Sequence, residues 1–170
     1  MILSGFANIN LEGEALSLLK VFVYGTLKPG ECNYQRYCGE RVVEAIPALA
    51  RGQLFALPLG YPAMIPGDMP VWGYLLSFSE PSVLQALDEL EDYDPKREAH
   101  LNEYYRCQIE VFHPPLSETG RIWADCQSLG LAWAYLMTPE RVRCLGGVAL
   151  PSGWWGAGKP PRLNLFGYYG

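Results

Sequence analysis

The run Val21-Phe22-Val23-Tyr24 restricts the fold more than any other segment. A strand with one face in water alternates apolar and polar side chains, whereas a continuous apolar, β-favouring run describes a strand covered on both faces. Residues 20–24 therefore read as a buried strand, stopped at Gly25 and followed by a Pro29-Gly30 loop. The 14 prolines and 18 glycines among 170 residues favour short strands joined by turns over a helical bundle.

Further strands are expected over residues 48–57, with Gly52 marking a bulge, and over 71–78, 104–112 and 131–137. In the third of these, Tyr105, Cys107, Ile109 and Val111 alternate onto one face. Residues 58–62, 66–68 and 114–120 read as turns or loops. The best helix covers 79–91, with Ser79 as N-cap and an apolar stripe of Val83, Leu84, Ala86, Leu87 and Leu90. Residues 12–19 form either a short helix or a loose segment, 33–43 a helical turn feeding an extended stretch, and 150–170 shows no assignable pattern. The sum is α+β: a small mixed β-barrel with one main helix. The expected layout is an N-terminal extension (1–19), one domain (20–155) and a C-terminal tail (156–170).

A net charge of −5 and a pI near 5.0, with no Lys/Arg run, oppose a nucleic-acid partner. No stretch approaches the ~20 apolar residues of a membrane span. The N-terminus lacks a basic segment ahead of a long apolar run, so a cytoplasmic location is expected. Five scattered cysteines without a Cys-x-x-Cys pair read as reduced thiols, and two histidines outside any ligand motif leave little for a metal.

Two places can carry chemistry. The turn Tyr24-Gly25-Thr26-Leu27 exposes backbone N–H groups just past a buried strand, where they can hold a carboxylate or an oxyanion; a plain turn after a core strand is the alternative. Glu91 falls about 70° from the centre of the helix's apolar stripe, whereas Asp88 and Glu89 fall about 130° away and face water. Glu91 also sits at the helix C-terminus, where the dipole disfavours an anion, so its pKa should rise toward a value useful for proton transfer. The alternative is a half-exposed glutamate at a helix end, and Glu89 is the rival carboxylate.

The segment Val21-Phe22-Val23-Tyr24-Gly25-Thr26-Leu27-Lys28-Pro29-Gly30 resembles the opening signature of the γ-glutamylcyclotransferase-like family, which includes AIG2-like proteins and γ-glutamylamine cyclotransferases. Gly60-Tyr61-Pro62-Ala63 with Val71-Trp72-Gly73, Leu87-Asp88-Glu89-Leu90-Glu91, Tyr104-Tyr105-Arg106, Ala132-Trp133-Ala134-Tyr135 and Ser152-Gly153-Trp154 are similar to later family segments, in family order. The resemblance implies a substrate carrying a γ-glutamyl group and no cofactor. It implies that Tyr24, Gly25, Thr26 and Leu27 hold the glutamyl α-carboxylate and amine. Glu91 then moves a proton from the α-ammonium to the leaving amine as 5-oxoproline forms. Tyr104 and Tyr135 are candidate pocket residues, with core tyrosines as the alternative. Arg106 is either a substrate-carboxylate ligand or a structural ion pair, and Tyr61 shapes a turn beside the pocket. Many relatives have Gly where this chain has Asp92, whose charge would either perturb Glu91 or point to solvent. A non-catalytic binding or regulatory module on the same fold is the competing reading, with a different lyase or hydrolase using the same pocket as a third.

Overall fold

The computed structural model describes residues 18–115 and 122–161. Six strands form one mixed sheet: β1 (Leu19–Val23), β2 (Val42–Ala56), β3 (Pro62–Phe78), β4 (Tyr105–Phe112), β5 (Ser128–Leu136) and β6 (Val148–Ala149). Helices are short: α1 (Tyr34–Tyr37), α2 (Val83–Leu90) and α3 (Pro139–Cys144). The strands pair in the order β3-β1-β5-β4-β2-β6, and β2 also pairs with β3, so the pairings from β3 through β2 return to β3. Only β1 and β5 run parallel, through Val21 and Trp133.

β1 shows why its sequence is apolar throughout. Val21 and Val23 enter one core, with Val83 and Leu87 of α2 and Val142 of α3. Phe22 and Tyr24 enter another, with Ala48, Ala50, Ala132 and Ala134. Alternate residues thus meet two different cores, and neither face sees water. The small alanines leave room for Phe22 and Tyr24 to fill the second core. Full burial of a side chain such as Phe22 or Leu87 stabilises the fold by about 2–3 kcal/mol.

Several expected elements change extent. The strands expected at 48–57 and 71–78 belong to a longer hairpin, β2 with β3, whose cross-strand hydrogen bonds extend both. Its register breaks between Gly52 and Gln53. The expected turn at Pro66–Asp68 lies inside β3, looped out against Gly52; a Cβ on Gly67 would lie 3.1 Å from the Gly52 carbonyl. α2 starts at Val83 rather than near Ser79. The preceding turn is held by i→i+3 bonds from Val83, Leu84 and Gln85, and Ser82 caps the helix without a side-chain bond. β1 begins at Leu19 and β4 at Tyr105, each one residue from expectation. α3 and β6 escaped the sequence reading. The helix entertained for 12–19 and the loop expected at 114–120 lie largely outside the described residues.

The segment around Gly153 docks on the sheet. Trp72 N–H donates to the Gly153 carbonyl at 2.8 Å, and Gly153 has φ +65° with its α-carbon against the Pro70 carbonyl oxygen, where a side chain has no room. The five cysteines are all free, and no described helix is long and apolar enough to cross a membrane.

Candidate active site

A cavity of about 280 Å³ opens where β1 ends and α2 stops. Tyr24, Gly25, Thr26, Leu27, Glu91, Tyr104 and Tyr135 all face it, as do Tyr61, expected in a turn beside the pocket, and Glu103, which the motif reading did not mention.

The loop after β1 is folded tightly. Lys28 N–H donates to the Gly25 carbonyl and Asn33 N–H to the Thr26 carbonyl, both at 3.0 Å, while the Asn33 side chain donates to Thr26 Oγ1 at 3.0 Å. The amides of Gly25, Thr26 and Leu27 meet no acceptor among the described residues. Gly25 is required by space: a Cβ would lie 2.7 Å from Pro62 Cγ. Beneath the loop, Lys28 is buried to 1 % exposure. Its ammonium donates to the Trp155 carbonyl at 2.7 Å and to Glu31 at 3.2 Å, and lies 4.4 Å from the centre of the Trp154 ring. Burial lowers its pKa, and Glu31 opposes that shift. The paired tryptophans thus enclose a cation.

Glu91 is the C-cap of α2, its N–H donating to Leu87 O at 3.0 Å. Burial pushes its carboxyl from 4.5 up to about 7, and the charge of Glu103 adds to the rise. The folded chain therefore holds this proton more tightly than the unfolded chain. Stability contributed here is greatest below about pH 4.5 and declines as pH rises to about 7. Glu91→Gln is expected to stabilise the protein by about 2–3 kcal/mol at pH 8 and by little at pH 4.5, measured by thermal unfolding. An equal shift at both pH values would contradict this origin.

The tyrosine hydroxyls are committed. Tyr24 donates to the Tyr135 carbonyl at 2.7 Å and accepts from Met64 N–H at 3.2 Å. Tyr104 donates to the Pro62 carbonyl at 2.7 Å, and Tyr135 to Asp88 Oδ1 at 2.7 Å. Burial raises all three phenol pKa values, so they stay protonated at neutral pH. Tyr61 donates to Glu103, and burial together with that bond raises it to about 12.

Asp88 corrects the helical wheel. Rather than facing water, it accepts two bonds from Arg106 Nη1, at 2.8 and 2.9 Å, besides that from Tyr135. β4 and β5 cover this flank of α2, a placement no wheel contains. Arg106 is thereby the structural ion pair, stacked 4.8 Å from the Trp133 ring centre. Glu89 is exposed.

Asp92 follows with φ +48°, in the left-handed region where Gly is at ease. Its carboxylate is 53 % exposed and pairs with Arg97 at 2.7 Å, on the solvent side. Asp92→Gly is expected to change stability by less than about 1 kcal/mol, because relief of strain offsets the lost pair and the added chain entropy, whereas Asp92→Val should cost about 1–3 kcal/mol. Chemical denaturation of the two variants checks the difference.

Among the described residues no three His, Cys, Asp or Glu side chains gather as metal ligands. The site is thus a cavity holding two carboxylates beside three amides that have no acceptor among the described residues, set in an α+β fold. The sequence profile of the family described as "Gamma-glutamyl cyclotransferase, AIG2-like" matches residues 21–157, and the chain belongs to that family. It is 34% identical over 90 residues to the gamma-L-glutamyl-butirosin B gamma-glutamyl cyclotransferase of Niallia circulans, a match covering 52% of this chain and 56% of that protein. The chain thus aligns with little more than half the length of that relative. The fold is similar to that of YkqA from Bacillus subtilis (TM-score 0.54, 18% identity, 82% of this chain and 40% of that one). It is similar also to that of At5g39720.1 from Arabidopsis thaliana (TM-score 0.51, 23% identity, 73% and 71%).

Proposed function

We propose that the protein is a γ-glutamyl cyclotransferase that converts a γ-glutamyl amide to 5-oxoproline and a free amine, with Glu91 as general acid and base. The observation that carries this reading is the partly buried Glu91 carboxyl, poised near neutrality on the same cavity as the free amides of Gly25, Thr26 and Leu27. The family match and the named relative support the same class of reaction.

In this reading the loop amides take the α-carboxylate of the glutamyl group. Glu91 accepts a proton from the α-ammonium. The freed amine attacks the γ-carbonyl carbon, forming the ring N–C bond and a tetrahedral oxyanion. Collapse breaks the amide C–N bond as Glu91 returns its proton to the departing nitrogen, and the second proton of the ring nitrogen passes to the released amine, which leaves as an ammonium. Atoms and charge balance without a cofactor, and no covalent bond to the enzyme forms. The reaction is intramolecular, so a cavity that holds the substrate folded supplies much of the rate. Tyr104 and Tyr135 act as walls, since their hydroxyl protons are engaged elsewhere. On the same reading, residues 20–155 form the domain, and the returning strand pairings make the small barrel at whose rim the cavity opens. Membrane and nucleic acid have no part in the reaction on this reading, and the cytoplasm is the compartment it expects.

The test is 5-oxoproline release from γ-glutamyl amines, γ-glutamyl dipeptides and glutathione. Release by the wild type that depends on Glu91 is the expected result. No release from any of them, with retained binding of a γ-glutamyl compound, would favour the binding-module reading instead.

A further inference from the structure

Glu103 is a charged residue of the cavity for which the cyclisation has no use. Its carboxylate accepts from the Tyr61 hydroxyl, and its N–H donates to the Asp92 carbonyl at 3.2 Å. The strap from 92 to 103 is further pinned by Asn102, which is buried. Its Oδ1 accepts from Asp94 N–H at 3.0 Å and its Nδ2 donates to the Asp94 carbonyl at 3.2 Å. Glu103 is thus held in place rather than left to swing into solvent.

Among the described residues the cavity has no positive side chain of its own to match it: its walls include no Lys or Arg. Lys28 is enclosed by Trp154 and Trp155, and Arg106 is committed to Asp88. Arg141 of α3 is close enough to hold the Tyr61 pKa down, yet among the described residues it is not one of the cavity walls and makes no ion pair with Glu103. Two carboxylates facing one small space repel anions and concentrate cations. A γ-glutamyl group brings one ammonium, which the cyclisation assigns to Glu91. Among the described residues Glu103 has no ion-pair partner, and a positive group in the leaving amine would supply one.

We infer that Glu103, oriented by Tyr61, is a specificity residue selecting γ-glutamyl amides whose leaving amine carries a second, ammonium-type positive charge. The inference rests on the cyclotransferase reading of this cavity and names its substrate class.

Three substrates with four-carbon leaving amines separate the possibilities: the γ-glutamyl amides of 1,4-diaminobutane (cationic tail), butylamine (neutral) and 4-aminobutyrate (anionic). Wild-type kcat/KM for 5-oxoproline release is expected to fall in that order, by about tenfold per step. Glu103→Gln should lower the cationic-to-neutral ratio about tenfold, mainly through KM, and raise the anionic-to-neutral ratio. Tyr61→Phe should move both ratios the same way by less. Any effect of Glu103 on Glu91 is common to the three substrates and cancels in the ratios. Equal losses on all three in Glu103→Gln would overturn the inference, leaving a structural role or one toward the shared α-ammonium. A wild-type preference for the anionic tail would overturn it in favour of Arg141. Release without any charge order would sink this inference alone, whereas silence from all three would sink the cyclotransferase reading as well.

Discussion

Glu91→Gln is expected to lower kcat/KM for 5-oxoproline release by about 10²–10⁴-fold, the range for loss of a positioned proton-transfer group. Glutamine keeps the size and one hydrogen-bonding oxygen of glutamate, so the cavity stays filled and the glutamyl group still binds. What it loses is a site that accepts a proton from the α-ammonium and delivers it to the leaving amine. The pH profile tests the same assignment independently. Glu91 must be ionised to act as base, and its carboxyl titrates near pH 7, so wild-type kcat/KM should rise through about pH 7 and level above it. An ordinary surface glutamate would place that rise near pH 4. The residual activity of the variant should lack the step near 7. Full activity in Glu91→Gln, or a wild-type profile flat from pH 5 to 8, would remove Glu91 from the mechanism.

Arg106→Leu is expected to cost about 2–4 kcal/mol of folding stability, read as a lower urea midpoint. The side chains of Arg106 and Asp88 are 18 % and 17 % exposed. Removing the guanidinium leaves the Asp88 carboxylate partly desolvated with Tyr135 as its remaining recorded partner, and it also removes the stack on Trp133. The figure sits below that of a fully buried pair because water still reaches this one. Asp88→Leu combined with Arg106→Leu should recover part of the loss, since the double change removes both charges. Activity should fall as well, because Asp88 joins the last turn of α2, which ends at Glu91, to β4 and to Tyr135. A cost under about 0.5 kcal/mol would mean that the pair is screened as an exposed one is.

How far these features could be read from the chain alone depended on range. Val21–Tyr24 announced a doubly covered strand because both of its faces are packed, and alternation at Tyr105, Cys107, Ile109 and Val111 identified the inner face of β4. Those are patterns that a strand's own period produces. Glu91 stood out because the wheel and the helix end agreed on it. The wheel failed at Asp88, since it knows the direction of a side chain but nothing of the Arg106 that meets it from β4. Glu103 follows a buried Asn102 in an irregular strap, where no periodicity operates, and its bond to Tyr61 spans 42 residues. The six residues of α3 were hidden by brevity, although Thr138-Pro139 carried a start signal: Thr138 Oγ1 accepts from Arg141 N–H at 3.2 Å. Asp92 showed the reverse case. A substitution that looked electrostatic is a matter of backbone conformation, with the charge turned toward solvent.

The cage around Lys28 also orders events in time. The loop that carries the three free amides is complete early in the chain, but the carbonyl that holds its lysine belongs to Trp155, 127 residues later. During synthesis from the N-terminus, the loop must wait with its lysine paired to Glu31 but uncovered until residues 152–156 have emerged and docked on β3. β1 waits likewise for β5, its parallel neighbour. Contacts of such long sequence separation form slowly, because the intervening chain must be ordered before they close. The mouth of the cavity is therefore among the last parts to assemble, and a nascent or truncated chain lacking its final twenty residues would have both carboxylates in hand but no finished loop to set against them.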